Sequence, residues 1–470
     1  MDPHIIEKIN RLWENIYPHL ARFIADLYGR QEGDVLELGP FSGGVAKGIL
    51  SLSSGFRVVV ADTSPDQLGS LREEIRETPL ARRMMIAPSP RSPLIFVDQS
   101  FDLVVFRGAF FFLTLDILQE IYRVLRPGGI AVVGGGYGPS TPHDPIGEIA
   151  EESRRLNLLL GKRWVTKEDL NIMINEAALR EEAKISTEGG LWVILRKKGN
   201  HSKTPLALAD ALALGDHEIV SLVGGGGKTA LVFTLARELR ERGLKVITTS
   251  TTKIIEPPGE QTPFLVIIEQ DQAEAMIVVK EGLRRDGHVT FAARRFPGGK
   301  IGGVDPEFIA TMARELPVDH IIVEADGALR LPFKAPGDHE PVIPPATTLL
   351  IPMVGIDALG RPLNGKTAFR PERIAELTGA RPGDPITAKL IAAVMTHPQG
   401  LIKSAPQGSR IIAVINKVET TEGLTGAREV AREVLQKGGE RIERVVLGRL
   451  FFNHPVAEVM ERRNGSEDAL

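Results

Sequence analysis

Short apolar runs recur along the chain, each followed by a stretch whose apolar residues repeat with helical spacing. Between residues 33 and 196 the runs fall at 35–38, 57–61, 101–106, 129–133 and 191–195. After a break the alternation restarts, with runs at 218–223, 245–249, 264–268, 320–324, 347–353 and 410–415. Apolar runs too short for helices, separated by amphipathic helical segments, are the pattern of parallel sheets built from βαβ units. The segment 229–242 is such a helix, and Gly243 stands where a helix C-terminus favours positive φ. The break, KKGNHSKTP at 197–205, is basic, polar and free of large apolar residues, which predicts a linker. The fold class is therefore α/β, as two consecutive three-layer domains: 1–198, a linker at 199–208, and 209–470.

Composition narrows the chemistry. With 470 residues, 43% hydrophobic and 25% charged, the chain has length for two or three packed cores. A net charge of −3 gives no electrostatic reason to expect nucleic acid or an anionic membrane as partner. The absence of cysteine excludes disulfides, thiolate metal sites and cysteine nucleophiles from this chain. Its first residues, MDPHIIEKINRLWENIYPHL, carry acids and lack the basic flank and apolar core of a signal peptide. No apolar stretch reaches the length of a membrane span. A cytoplasmic protein with small-molecule substrates is the expectation.

Two glycine loops carry the candidate chemistry. The first, VLELGPFSGGVAKGIL, reads strand, turn, helix, and in a doubly wound sheet such a turn lies where a ligand approaches the backbone. Asp62 closes the next strand, where a carboxylate accepts hydrogen bonds from ribose hydroxyls. Glu37-Leu38-Gly39 with Gly43, Asp62, the run Ser100-Phe-Asp-Leu-Val-Val105 and Tyr122-Arg-Val-Leu-Arg-Pro-Gly-Gly129 together resemble the class I S-adenosylmethionine-dependent methyltransferases over about residues 10–196. The resemblance implies a Rossmann-like methyltransferase fold that binds S-adenosylmethionine through Glu37, Gly39, Gly43 and Asp62. Two departures stand out: Phe41 occupies the position of a usual glycine, and Ala87-Pro-Ser-Pro-Arg-Ser-Pro93 offers no carboxylate for the adenine amine. The apolar run Gly108-Ala-Phe-Phe-Phe-Leu113 walls a substrate pocket or belongs to the core. Methyl transfer requires orientation more than a catalytic dyad, because the sulfonium is already activated.

The second loop, SLVGGGGKTA, also sits between a buried strand and an amphipathic helix. Consecutive amides at a helix start form an anion nest, and glycines adopt it without Cβ clashes. Gly224, Gly225, Gly226 and Gly227 would cradle phosphates, Lys228 would reach the terminal ones, and Thr229 offers a hydroxyl to Mg2+. Leu222 stands at the leading-glycine position of the commonest phosphate loop, so the shorter GG-x-GK-[ST] form fits better. The strand HIIVEADG ends in Glu324 and Asp326, expected as a Mg2+-water ligand and a water-positioning group, with Asp326 and Thr229 as the metal pair. Thr248-Thr-Ser-Thr-Thr-Lys253 brings hydroxyls and a cation to the same sheet edge. Asn416, Lys417 and Glu419 resemble the guanine-reading motif of GTPases, with Glu in place of Asp.

These elements, with Lys334-Ala-Pro-Gly-Asp-His-Glu-Pro-Val-Ile-Pro344 and Thr396-His-Pro-Gln-Gly-Leu-Ile-Lys-Ser404, resemble the YqeC family over about residues 205–452. That resemblance implies a P-loop NTPase-like fold using ATP or GTP with Mg2+. It also implies an accessory role in maturing selenium-dependent molybdenum hydroxylases, with such a hydroxylase or its cofactor-maturation proteins as partner. In the Pro-rich loop, Lys334, His339 and Glu340 form a structural, anion-binding or metal-binding cluster. Two alternatives remain at this stage. One is a nucleotide-gated chaperone carrying a degenerate methyltransferase scaffold; the other is a small-molecule kinase using Arg294 and Arg295.

Overall fold

The computed structural model describes residues 1–199, 205–268 and 271–462. The chain divides into two compact units, Met1–Thr204 and Pro205–Leu470. Part of the expected linker, 200–204, lies outside the described residues.

The first unit carries β1 (Glu32–Leu38), β2 (Gly55–Asp62), β3 (Met84–Pro88), β4 (Phe101–Arg107), β5 (Leu125–Gly136), β6 (Ala183–Ser186) and β7 (Gly190–Arg196). Its helices are α1 (Pro3–Leu12), α2 (Tyr17–Tyr28), α3 (Gly44–Leu52), α4 (Pro65–Ile75), α5 (Leu115–Val124), α6 (His143–Leu159) and α7 (Lys167–Glu176). The sheet order is β3-β2-β1-β4-β5-β7-β6, parallel except for the pairings of β7. The connection reverses direction between β1 and β4, which makes the space above their C-terminal ends the switch point where such sheets hold ligands. At the sheet's other end Arg126 bridges Asp34 and Asp102 at 2.8 and 2.6 Å, which accounts for the acid inside the run SFDLVV. Strand β5 starts earlier than expected: α5 stops at Val124, and Pro127-Gly128-Gly129 lie within the strand rather than before it. Edge strand β3 has no alternating pattern to announce it, and its terminal Pro88 is tolerated because no further strand pairs beyond it.

The second unit carries β8 (Glu218–Gly224), β9 (Val246–Ser250), β10 (Ile254–Ile255), β11 (Leu265–Ile267), β12 (His288–Ala292), β13 (Arg294–Phe296), β14 (Lys300–Gly302), β15 (His320–Glu324), β16 (Phe333–Lys334), β17 (Leu349–Gly355), β18 (Ala368–Phe369), β19 (Arg410–Asn416), β20 (Arg444–Gly448) and β21 (Val456–Glu461). Helices α8 (Leu208–Ala211), α9 (Lys228–Glu241), α10 (Gln272–Asp286), α11 (Pro306–Glu315), α12 (Pro371–Thr378), α13 (Ala388–Thr396) and α14 (Thr421–Gly438) lie between them. Nine strands form one sheet in the order β11-β12-β9-β15-β8-β17-β19-β20-β21, parallel apart from β20 with β21. Strand β8 is central, between β15 and β17. Its residues serve both faces: Val220 and Leu222 pack with α9, whereas Ile219 and Val223 belong to the cores opposite. A strand buried on both faces reads as a largely apolar run, and in β8 only Ser221, buried with its hydroxyl on that of Thr347, interrupts the apolar residues between Glu218 and Gly224.

Candidate functional site

The four glycines leaving β8 are each required by what surrounds them. Gly224, Gly226 and Gly227 have φ of +99°, +77° and +125°. A Cβ on Gly224 would lie 2.2 Å from the Met353 carbonyl oxygen, and one on Gly226 2.0 Å from the Gly355 amide nitrogen. On Gly225 it would meet the Leu331 carbonyl at 2.7 Å, and on Gly227 the Asn416 side chain at 2.5 Å. The loop is thus threaded between the 331–332 segment, the end of β17 and the end of β19. The Gly225 amide donates to Met353 at 3.0 Å and the Gly226 amide to Leu331 at 3.1 Å. Asn416 Nδ2 donates to the Gly226 carbonyl at 2.8 Å, while its Oδ1 accepts from the Leu450 amide at 3.1 Å. Helix α9 then begins with no side-chain cap, so its first amides and the positive end of its dipole face the loop.

Charged groups gather behind this loop. The Lys228 side chain is buried, donates to the Gly224 carbonyl at 2.6 Å, and lies 3.1 Å from Asp326 and 3.8 Å from Glu324. Burial opposes its charge, yet the two carboxylates outweigh burial and raise its pKa. Thr229 donates its hydroxyl to Glu324 Oε2 at 2.9 Å, and burial raises the pKa of that carboxyl. Asp326 accepts from the Gly224 amide at 3.0 Å and pairs with Lys334 at 2.9 Å. Lys334, fully buried, continues to Glu340 at 2.8 Å, and Glu340 to Arg370 at 2.6 Å. Burial of Glu340 works against its charge, but hydrogen bonds from Arg370 and Lys334 prevail and hold its pKa down at about 2. A chain of alternating charge, Lys228, Asp326, Lys334, Glu340 and Arg370, runs from the glycine loop into the Pro-rich loop. His339 is exposed and stands outside that chain. Among the described residues no group of three or more His, Asp or Glu gathers as a metal site.

The remaining expected residues are placed as follows. The hydroxyls after β9 are turned to protein partners: Thr248 to His288 and Thr290, Thr249 to the Phe291 carbonyl, Ser250 to the Glu324 carbonyl and Thr251 to the Val342 carbonyl. Those of Thr248, Thr249 and Ser250 tie neighbouring strands together, and that of Thr251 ties the end of β9 to the Pro-rich loop. Lys417 pairs with Asp357 at 2.7 Å, and burial pushes the Glu419 carboxyl up to about 7. Arg295 pairs with Glu256 at 2.9 Å on the ribbon β10-β14-β13, and Arg294 lies over Phe296. Sequence reasoning missed Arg370, Asp357 and the Leu331–Pro332 carbonyls that position the loop, since none stands in a motif.

In the first unit Glu37 Oε2 accepts from the Gly43 and Ala46 amides at 3.1 and 2.9 Å, which shapes the turn into α3. Its Oε1 has no partner among the described residues, and burial pushes the carboxyl up to about 7. A Cβ on Gly39 would lie 2.0 Å from Asp62 Oδ2, so glycine there is what admits the carboxylate. Asp62 accepts from the Ser42 hydroxyl at 2.7 Å and the Thr63 and Ser64 amides at 2.6 and 3.2 Å, with Arg91 at 3.6 Å. Phe41 is buried edge-on to Phe111, at 5.9 Å between centroids, and against Gly108 and Arg107. The run Gly108–Leu113 is largely core: Phe110 and Phe111 are buried. A groove of about 910 Å³ opens beside the loop, lined by Asn10, Tyr17, Ser42, Gly44 and Lys47 among others.

The two sites define a protein of two α/β units, one with the strand order of the methyltransferases and one with a glycine loop and lysine opening a helix. The methyltransferase-domain family model matches residues 36–133, and the YqeC family model matches 220–372. The YqeC protein of Escherichia coli (strain K12) is 31% identical over 241 residues, covering 50% of this chain and 92% of that protein. The chain belongs to the YqeC family. Similar solved structures include a protein of Methanococcus maripaludis, given provisionally as an S-adenosyl-L-methionine-dependent methyltransferase: 21% identity, TM-score 0.37, 42% of this chain and 94% of that one. A SAM-dependent methyltransferase from Aquifex aeolicus is 15% identical with a TM-score of 0.31, over 42% of this chain and 99% of its own.

Proposed function

We propose that the second unit is a P-loop nucleotide-binding module that takes ATP or GTP with Mg2+ at the start of α9. The observation that carries this reading is the forced glycine loop with Lys228 drawn back onto Gly224 and Asp326. The residues fit the group: the amides opening α9 would receive phosphate oxygens, and Lys228 would leave Asp326 for the terminal phosphates. Thr229 and Glu324 would hold the Mg2+ ion, which neutralises charge on the phosphates. Asp326 keeps Lys334 and the Gly224 amide when Lys228 departs, so it acts as the lysine's resting partner and positions the loop. Burial of Glu419 disfavours the ionised acceptor that a guanine edge needs, so the base stays unassigned between adenine and guanine. The role in maturing selenium-dependent molybdenum hydroxylases rests on family membership, with a hydroxylase or its maturation proteins as partner. A thermal-shift panel of ATP and GTP with Mg2+ tests the module. At a hundred times its dissociation constant a ligand stabilises the native state by about 2.7 kcal/mol. Stabilisation should appear in the wild type and vanish in Lys228→Ala; equal shifts in both proteins would refute the site.

For the first unit we propose S-adenosylmethionine binding, supported by the strand order, the matched family model and Asp62 at the end of β2. Ser42 would yield its hydrogen bond on Asp62 to a ribose hydroxyl. A second reading, a scaffold that transfers no methyl group, is favoured by Phe41, whose buried ring packs on Phe111, Arg107 and Gly108 at the end of β4. Calorimetric titration of S-adenosylmethionine decides between them: binding that is lost in Asp62→Ala supports the cofactor site, and no heat at all supports the scaffold.

A further inference from the structure

The Gly226 amide, in the middle of the glycine loop, donates to the Leu331 carbonyl at 3.1 Å. An anion nest needs such an amide turned to a phosphate oxygen, so the Leu331 carbonyl occupies a donor that a nucleotide requires. That carbonyl is presented by a turn at 328–331, which the Leu331 amide closes on the Ala328 carbonyl at 2.9 Å. Both central residues of the turn are left-handed, Leu329 at φ +48° and Arg330 at φ +61°. Turns of this kind favour glycine, asparagine and aspartate, so a leucine followed by an arginine is strained there. The segment is tethered on both sides: Lys334 Nζ donates to the Gly327 carbonyl at 2.6 Å, and the Gly355 amide to the Pro332 carbonyl at 2.8 Å.

Neither side chain at the top of the turn accounts for the strain. Leu329 is 73% exposed, and Arg330, also exposed, has no hydrogen bond or ion pair among the described residues. Strained backbone persists only where its surroundings impose it, and it collects at ligand clamps and switch segments. Here the Gly226 amide and the two tethers impose it. A charged phosphate oxygen is a stronger acceptor than an amide carbonyl and would take the Gly226 amide from Leu331. The turn would then be released from the left-handed region, with a free guanidinium one residue from the contact it gave up.

We propose that Arg330 is a phosphate-contacting residue of the nucleotide site, swung onto the terminal phosphate when turn 328–331 releases Gly226. The inference deepens the nucleotide reading of the second unit and rests on it. A guanidinium suits the task, because it stays charged and its planar fork matches phosphate oxygens two at a time. Lys228 approaches from the start of α9, so the two cations share the terminal charge.

The test titrates the full chain with ATP, GTP, ADP and GDP, each with Mg2+, by calorimetry. In Arg330→Gln the affinity for the triphosphate should fall about tenfold, the order expected of a hydrogen bond between charged groups, with diphosphate affinity kept. Leu329→Gly relaxes the turn in its closed form and removes an exposed side chain. It should weaken triphosphate and diphosphate alike by about fivefold, while the free protein melts no lower than the wild type. Equal loss of both nucleotides in Arg330→Gln would overturn the terminal-phosphate contact, and unchanged affinity in Leu329→Gly would overturn the release of the turn. A wild type that binds none of the four would overturn the nucleotide reading itself, and this inference with it.

Discussion

Glu37 shows how a residue inside a ligand-binding motif answers to structural demands. Its carboxyl has a folded pKa of about 7, against 4.5 for the free group, with burial as the cause. A raised carboxyl pKa gives stability that is complete below the unfolded value and is lost as pH rises through the folded one. Stability therefore drains between about pH 4.5 and pH 7, by roughly 3 kcal/mol for a shift of this size. Glu37→Gln keeps an oxygen acceptor for Gly43 and Ala46 and cannot ionise, so its stability advantage over wild type should grow from pH 5 to pH 8. Chemical denaturation across that range checks it; an advantage independent of pH would mean that Glu37 is not held neutral by the fold. Glu340 runs the other way, since Arg370 and Lys334 hold it near 2. Its contribution is present above pH 4.5 and is lost as pH falls towards 2.

Between residues and fold lies the glycine loop, an element whose shape is dictated by the 331–332 segment, β17 and β19 as much as by its own glycines. Gly226→Ala places a Cβ against the Gly355 backbone at φ +77°. The left-handed conformation alone costs about 1–2 kcal/mol. The substitution should lower the melting temperature and abolish nucleotide stabilisation together; unchanged nucleotide binding would show that the loop is not the site. Asn416→Ala removes the tie to Gly226 and Leu450 and leaves buried backbone groups unmatched, a loss of about 1–3 kcal/mol measurable by urea unfolding. Much of this element was legible beforehand, because a strand, four glycines and Lys-Thr are local in sequence. The ends of β15 and β19 were also visible, as apolar runs closed by Glu324 and Asn416. What local pattern could not convey is where side chains turn. The hydroxyls at 248–251 look ligand-facing in sequence, yet they bond to β12, to the end of β15 and, 91 residues away, to the Val342 carbonyl of the Pro-rich loop. Lys334 and Arg370 join the site only through tertiary packing, and edge strand β3 carries no alternation to reveal it.

At the scale of the molecule, each unit has its own buried hydrophobic core. Unfolding should accordingly resolve into two calorimetric transitions, and Gly226→Ala should shift one of them alone; a single transition moved as a whole would contradict that division. Among the described residues no helix is long and apolar enough to cross a membrane. The Lys228 resting state explains how a lysine stays charged and buried before its ligand arrives: Asp326 and Glu324 hold it. The most direct test is isothermal titration of ATP and GTP with Mg2+ into wild type and Lys228→Ala. Saturable binding of one nucleoside triphosphate to the wild type, weakened at least a hundredfold in the variant, is the predicted result. No binding of either nucleotide, or affinity indifferent to Lys228, would contradict the account.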